Sequence, residues 1–450
     1  MTRSAIWCLI LAFAAPGIPK VPAAEETPTT PTLAETLPAT ETAQPSQPPA
    51  NAPDPIADRL NFKPTFMLRG RLDVDAVMAA QSAASRAQIG TLQNGYGLRR
   101  ARLGAQGTIG DAADWVAEFE FAGGNVRLRD TYVGLTALPV VRQVNVGYFR
   151  EPFSLEGATS ARFITFMERS PLNVLDPTRD WGICGYWWPE SERMTYAIGA
   201  FRTGTTSGGF SGQGGHWAVT TRVTGLPIYQ DDGEVFRLVH LGGAFSQRQP
   251  PNNEVRYDPN PQSNLLVITD TPVSPFLPTV DVPSNSQQLY NLQAAWVGGR
   301  RSIQAEWFGT TIQQIGGGVV FLYGSYVYGS YFLTGEHRGY NKNRAGFDQV
   351  HVLRPIVRVG KKPATGFGAV ELAARFSVSN YNSPNLPIPP TSGAATAPNG
   401  TIFYEWTLGA NWYLNDYTRL MANYTLSLPA VAGQPQLPVN GFNLRTAIFW

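Results

Sequence analysis

The chain has 450 residues and a formal net charge of +2, with 43% hydrophobic, 12% aromatic and only 15% charged residues. So many aromatics exclude a disordered chain, two cysteines exclude a disulfide scaffold, and the balanced charge gives no basis for a nucleic-acid partner. A mean hydropathy of −0.16, with no later apolar stretch near the roughly 20 residues of a spanning helix, leaves a large soluble β protein or a membrane β-barrel.

The first 24 residues read as a secretory signal. Arg3 supplies the positive start, Ile6 to Ala15 is a short apolar run, and Pro16, Gly17 and Pro19 break it before a cleavage site near Ala23–Ala24. Removal of this segment takes Cys8 with it and leaves Cys184 alone, so the mature chain has no internal disulfide. Residues 25–58 are rich in Pro and Thr, hold little apolar surface, and read as an extended spacer. Residues 59–450 form the folded domain.

From residue 60 the pattern has period two. Arg69, Arg71, Asp73 and Asp75 alternate with Leu68, Gly70, Leu72 and Val74. Arg100, Arg102 and Gln106 alternate with Ala101, Leu103 and Ala105, and Glu118 and Glu120 with Ala117, Phe119 and Phe121. Further on, Gln304 and Glu306 oppose Ile303 and Trp307; Glu405 and Thr407 oppose Trp406 and Leu408; Arg419 and Asn423 oppose Leu420 and Tyr424. The spacing predicts strands over 64–78, 97–109, 114–122, 126–136, 141–149, 193–204, 215–225, 235–247, 286–298, 301–311, 319–334, 347–359, 366–380, 402–414, 417–428 and 440–450.

A soluble sandwich also alternates, but these segments run to about ten residues, the length of a tilted membrane strand. Aromatics near strand ends fit an interfacial girdle. The reading is therefore all-β: a transmembrane antiparallel barrel of about 16 strands, the size that leaves an aqueous channel. Turns near 110–114 and 415–416 are short, and long segments fall at 79–96, 150–192, 248–285 and 381–401. That is the expected pattern of short turns at one end and long loops at the other.

Several blocks resemble one family. Gly147-Tyr148-Phe149-Arg150-Glu151-Pro152-Phe153-Ser154, Leu98-Arg99-Arg100-Ala101-Arg102-Leu103-Gly104, Leu128-Arg129-Asp130-Thr131-Tyr132-Val133-Gly134 and Leu408-Gly409-Ala410-Asn411-Trp412-Tyr413 are similar to the phosphate-selective porin O and P family of outer membranes. The resemblance implies a homotrimer in outer-membrane lipid of a Gram-negative-type bacterium, with a loop after strand 5 forming a constriction. It also implies that the barrel assembly machinery reads Trp450, and that Arg99 and Arg100 hold anions beside the polar positions Asp130 and Ser160. Phosphate-selective members carry a Lys on that loop. Residues 150–192 contain none, and the arginines there are its candidate substitutes.

Moving an anion breaks no bond; the pore needs fixed positive charge and donors to replace lost hydration. Arg suits oxyanions through its planar fork, and the chain has 30 Arg against 5 Lys. The candidate anion site is Arg69, Arg71, Arg99, Arg100, Arg102, Asp130, Ser160 and Arg162. The expected function is passive diffusion of small anions, phosphate or polyphosphate first. The alternatives are a general or sugar-accepting porin and a soluble binding sandwich. With four scattered histidines and no G-x-S-x-G or H-E-x-x-H motif, neither an enzyme, a metal site nor a cofactor is expected.

Overall fold

The computed structural model describes residues 64–136, 138–204, 216–233, 235–257, 280–358, 360, 363–386, 401–431 and 435–450. The expected signal (1–24) and Pro-rich segment (25–58) lie outside the described residues.

Sixteen long strands close into one antiparallel barrel. They are β1 (Met67–Gln81), β2 (Gly95–Ile109), β3 (Ala113–Glu120), β4 (Arg127–Thr136), β5 (Gln143–Arg150), β6 (Arg179–Trp187), β7 (Met194–Thr203) and β8 (His216–Asp231). The second half is β9 (Phe236–Arg248), β10 (Val280–Gly298), β11 (Arg301–Gln314), β12 (Val319–Phe332), β13 (Ala369–Asn380), β14 (Thr401–Tyr413), β15 (Thr418–Val431) and β16 (Val439–Phe449). Each strand pairs with its sequence neighbours, and β1 pairs with β16 as well as β2, so the sheet has no free edge. Trp450 completes the seam through two backbone hydrogen bonds with Gly70.

The faces decide between the two candidate architectures. On β1, Arg71, Asp73 and Asp75 are at most 1% exposed, while Leu72, Val74 and Leu68 are 38–57% exposed. Glu118, Gln304, Glu306, Glu405 and Thr407 are likewise buried, and Phe119, Ile303, Trp406 and Leu408 face out. A soluble sandwich buries the opposite set. An apolar outer band around a polar interior is the arrangement that lipid demands.

Two predicted elements need correction, and they cancel in the count. Residues 179–187 form β6, although they fall inside the segment read as one loop over 150–192. Its sequence, Arg-Asp-Trp-Gly-Ile-Cys-Gly-Tyr-Trp, has no charge alternation beyond its first two residues. The predicted strand 347–359 is absent apart from Gly346–Asp348, which pairs with Gly339–Asn341 in a small hairpin. Val350 and Val352 are buried around an exposed His351, in a cluster with Phe332, Ala369 and Tyr413, and so imitate strand alternation. They belong to the connection from β12 to β13, residues 333–368, which leaves from the end of the barrel that carries the C-terminus. Long connections are therefore not confined to one end.

The outward apolar face gives a test. Replacing Leu408, 52% exposed at mid-strand, by Arg should lower the unfolding free energy in lipid vesicles by about 2–4 kcal/mol. A water-facing Leu would tolerate the change within roughly 0.5 kcal/mol.

Candidate functional site

Residues 151–178, between β5 and β6, enter the interior and dock on the opposite wall. The Glu306 carboxylate on β11 accepts hydrogen bonds from the backbone N–H groups of Leu155 and Glu156, each at 2.8 Å. Four side chains from successive strands then grip the segment's carbonyl groups. Arg375 of β13 holds Glu168, Asn411 of β14 holds Thr165, Arg419 of β15 holds Ile164, and Arg445 of β16 holds Met167. These donors occupy carbonyls that no secondary structure satisfies and that would be costly to bury unpaired.

Apolar packing supports the grip. Phe153 lies 6.4 Å from Phe308 between ring centroids, and Phe166 meets Tyr328 edge-on at 5.4 Å. Leu172 and Leu175 join the same buried cluster. Glycines on the wall admit these side chains: a Cβ on Gly324 would stand 2.2 Å from Leu172, and one on Gly409 would stand 3.1 Å from Phe166. Burying each such side chain contributes about 1.5–3 kcal/mol.

Docking on one wall leaves an open space against the other. A cavity of about 990 Å³ lies between the segment and the β1–β8 wall, and twelve arginines line it against five carboxylates. Two irregularities in the sheet concentrate charge there. On β2, Asp73 pairs with Arg100 but Val74 pairs with Leu98, so Arg99 is an extra residue. On β4, Ala117 pairs with Thr131 and Phe119 with Leu128, which leaves Arg129 and Asp130 facing the single residue Glu118. A bulge breaks strict alternation. It allows Arg99 and Arg100, and likewise Arg129 and Asp130, to line the same cavity.

Most of these charges are paired. Arg99 forks Glu168 at 3.1 and 3.0 Å, Arg100 reaches Glu168 at 3.1 Å, and Arg445 reaches it at 2.7 Å. Burial opposes ionisation of Glu168, but Arg100, Arg99 and Arg445 outweigh it and hold the carboxyl well below the usual carboxylate range. Arg445 also forks Asp75 at 2.6 and 2.7 Å. This joins the segment to the β1–β16 seam.

The sequence-predicted residues divide as follows. Arg69, Arg99, Arg100, Arg102, Asp130, Ser160 and Arg162 all line the cavity. Arg69 and Arg162 meet Glu118 at 3.1 and 2.9 Å, Arg102 meets Glu120 at 2.7 Å, and Asp130 is forked by Arg179 at 3.0 and 2.9 Å. Arg71 does not line it: the residue is 1% exposed and its Nε donates to Asp73 at 2.7 Å. Sequence reasoning passed over Arg129, Arg142, Arg222 and Arg344, which also line the cavity. Arg129 sits in a bulge, Arg142 in a turn and Arg344 in the hairpin of the 333–368 connection, so none carried an alternation signal. Arg222 did: it shares a buried face of β8 with Thr220 and Thr224, alternating with the exposed Val219 and Val223.

The profile described as phosphate-selective porin O and P matches residues 83–428. The chain belongs to this family. It is an outer-membrane β-barrel channel protein. An uncharacterized protein of Caulobacter vibrioides is 26% identical over 405 residues, covering 86% of this chain and 75% of that one. Among solved structures, OprB of Pseudomonas putida is similar in fold, with a TM-score of 0.51, 11% identity, and 88% and 96% of the two chains covered. OmpT of Vibrio cholerae lacking its loop L8 has a TM-score of 0.50, 12% identity, and coverage of 86% and 99%. At these identities the likeness concerns the fold.

Two outcomes follow for the site. Glu168→Gln should leave three guanidiniums with a neutral partner and raise the anion-over-cation permeability ratio, read from the reversal potential in a salt gradient. Arg445→Met should strand Asp75 and Glu168 without their shared partner. It should lower barrel stability by about 3–5 kcal/mol, the usual cost of removing one side of a buried pair, as measured by urea unfolding in vesicles.

Proposed function

We propose that the protein is a passive channel for small anions, with phosphate or polyphosphate the leading permeants, and that residues 151–178 form its constriction. The observation that carries this reading is the excess of guanidinium groups along one open side of the interior. Twelve arginines face five carboxylates there. Asp73, Glu120 and Asp176 pair with Arg100, Arg102 and Arg150 from outside the lining, and the guanidinium groups still outnumber the acids, which favours a net positive field. Within low-dielectric walls such a field draws anions in and repels cations. Arginine forks and the Ser160 hydroxyl replace hydration lost on entry. Arg69, Arg99, Arg100, Arg102, Arg162 and Asp130 serve as the anion-contacting set in this proposal, and Arg71 supports the wall behind Asp73. The description of the family supports the anion assignment; in this proposal the protein is a homotrimer, exported by the N-terminal signal and inserted by the barrel assembly machinery. The chemistry is positioning and charge, with no residue asked to act as nucleophile or base.

One observation favours a second reading, a general porin of weak selectivity. Arg69, Arg99, Arg100, Arg102, Arg150, Arg162 and Arg179 each have a carboxylate partner. The two readings separate in a planar bilayer under a KCl gradient. The proposal expects a strongly anion-selective reversal potential and chloride current reduced by added phosphate, with Arg100→Ala weakening both. A near-zero reversal potential with no phosphate block would establish the weakly selective porin instead.

A further inference from the structure

We infer that the half of the cavity nearer the barrel's C-terminal end is a binding vestibule for organic anions that carry an aromatic ring. This deepens the anion-channel reading and rests on it.

The inward face of the wall changes character below the bulges. Tyr132 on β4 and Tyr186 on β6 line the cavity and are each partly exposed to it. Both pack on a buried cluster that contains Phe149, which Tyr132 meets edge-on at 5.7 Å. The rings are therefore held from behind and present their surfaces to the open space. Trp188, in the turn after β6, extends this shelf and is also part-exposed. The Tyr132 hydroxyl has no hydrogen-bond partner among the described residues.

The charges at this end differ from those at Glu168. Arg344 is exposed on the hairpin and its guanidinium has no ion pair among the described residues. Its charge reaches Tyr132 and Asp114. Arg222 donates to Gln293 and to the carbonyls of Arg344 and Ala345, again with no carboxylate partner among the described residues. The vestibule thus offers two guanidinium groups that no described carboxylate holds in an ion pair, with the Asp114 carboxylate farther off, beside a supported aromatic surface.

That pairing fits one ligand class. A guanidinium fork takes a carboxylate or a phosphate equally well. A strongly hydrated inorganic oxyanion gains nothing from apolar rings, whereas a planar ring gains contact with tyrosine faces and with arginine over its own π face. The whole cavity measures about 990 Å³, so roughly half of it still falls within the roughly 300–1,000 Å³ of sites that hold drug-sized organic ligands.

The test uses the full mature protein in a planar bilayer at neutral pH, with chloride current blocked by 4-hydroxybenzoate, cyclohexanecarboxylate or inorganic phosphate. The two organic acids carry the same charge and differ in the aromatic ring. The inference expects half-block by 4-hydroxybenzoate at a concentration about tenfold lower than by the saturated acid, the scale of one aromatic or cation–π contact. Tyr186→Leu should bring the two within about twofold, and Tyr186→Phe should keep the preference, because it keeps the ring. If Tyr186→Leu fails to insert, Trp188→Leu in the turn after β6 gives the same test by removing another ring that lines the cavity. Equal block by the two organic acids, with phosphate block intact, would overturn this inference and leave the anion channel standing. No block by any of the three, with no anion selectivity, would remove the anion reading and this inference with it.

Discussion

Charge that faces the inside of a barrel must find an opposite charge or open water, and this constraint organises the molecule. Glu168 is its focal point. One carboxylate on a loop receives guanidiniums from Arg99 and Arg100 on β2 and from Arg445 on β16. Those strands flank β1, where the sheet closes on itself. Arg445 adds Asp75 of β1 to the same network. The ionic cluster therefore links barrel closure to the placement of residues 151–178, and neither is independent of the other.

The same segment has two unlike sides. Its apolar residues and its carbonyl groups are taken up by β11 to β16, through Phe308, Tyr328, Asn411 and Arg419. Its other side borders the arginine wall. An asymmetric interior follows from this one-sided docking. Packing fills one half, and the open half is where charge selectivity can act on a permeant. Paired arginines around Glu118 and Glu168 set the geometry of that wall, while Arg222 and Arg344 have no carboxylate at ion-pair distance among the described residues. These two guanidinium groups lie next to rings, which is why two kinds of anion contact are assigned to two parts of one cavity.

Much of this was legible in the sequence where period two was unbroken. Arg71, Asp73 and Asp75 against Leu72 and Val74 announced both the strand and its buried face. Legibility failed where local pattern and tertiary position part company. Arg99 and Arg100 are adjacent, so strict alternation puts them on opposite faces; only pairing with β1 shows the extra residue. Residues 179–187 pair edge to edge as well as any strand here, yet Gly182 and Gly185 dilute their pattern. Val350 and Val352 alternate because they cover Phe332 and Tyr413, not because they sit in a sheet. The side of the segment that Ser160 faces depends on contacts with strands 250 or more residues away, such as Arg162 and Ile164 with Arg419.

The sidedness of residues 151–178 carries the whole account, and cysteine accessibility measures it directly. In a Cys184→Ser background, single cysteines would replace Ser160, which lines the cavity, and Thr165, which is 3% exposed against the far wall. The channel would then be treated with a negatively charged thiol reagent while conductance is recorded. The account predicts rapid modification at 160 with loss of anion current, and protection at 165. Equal reactivity at both positions, or reaction at 165 alone, would contradict it.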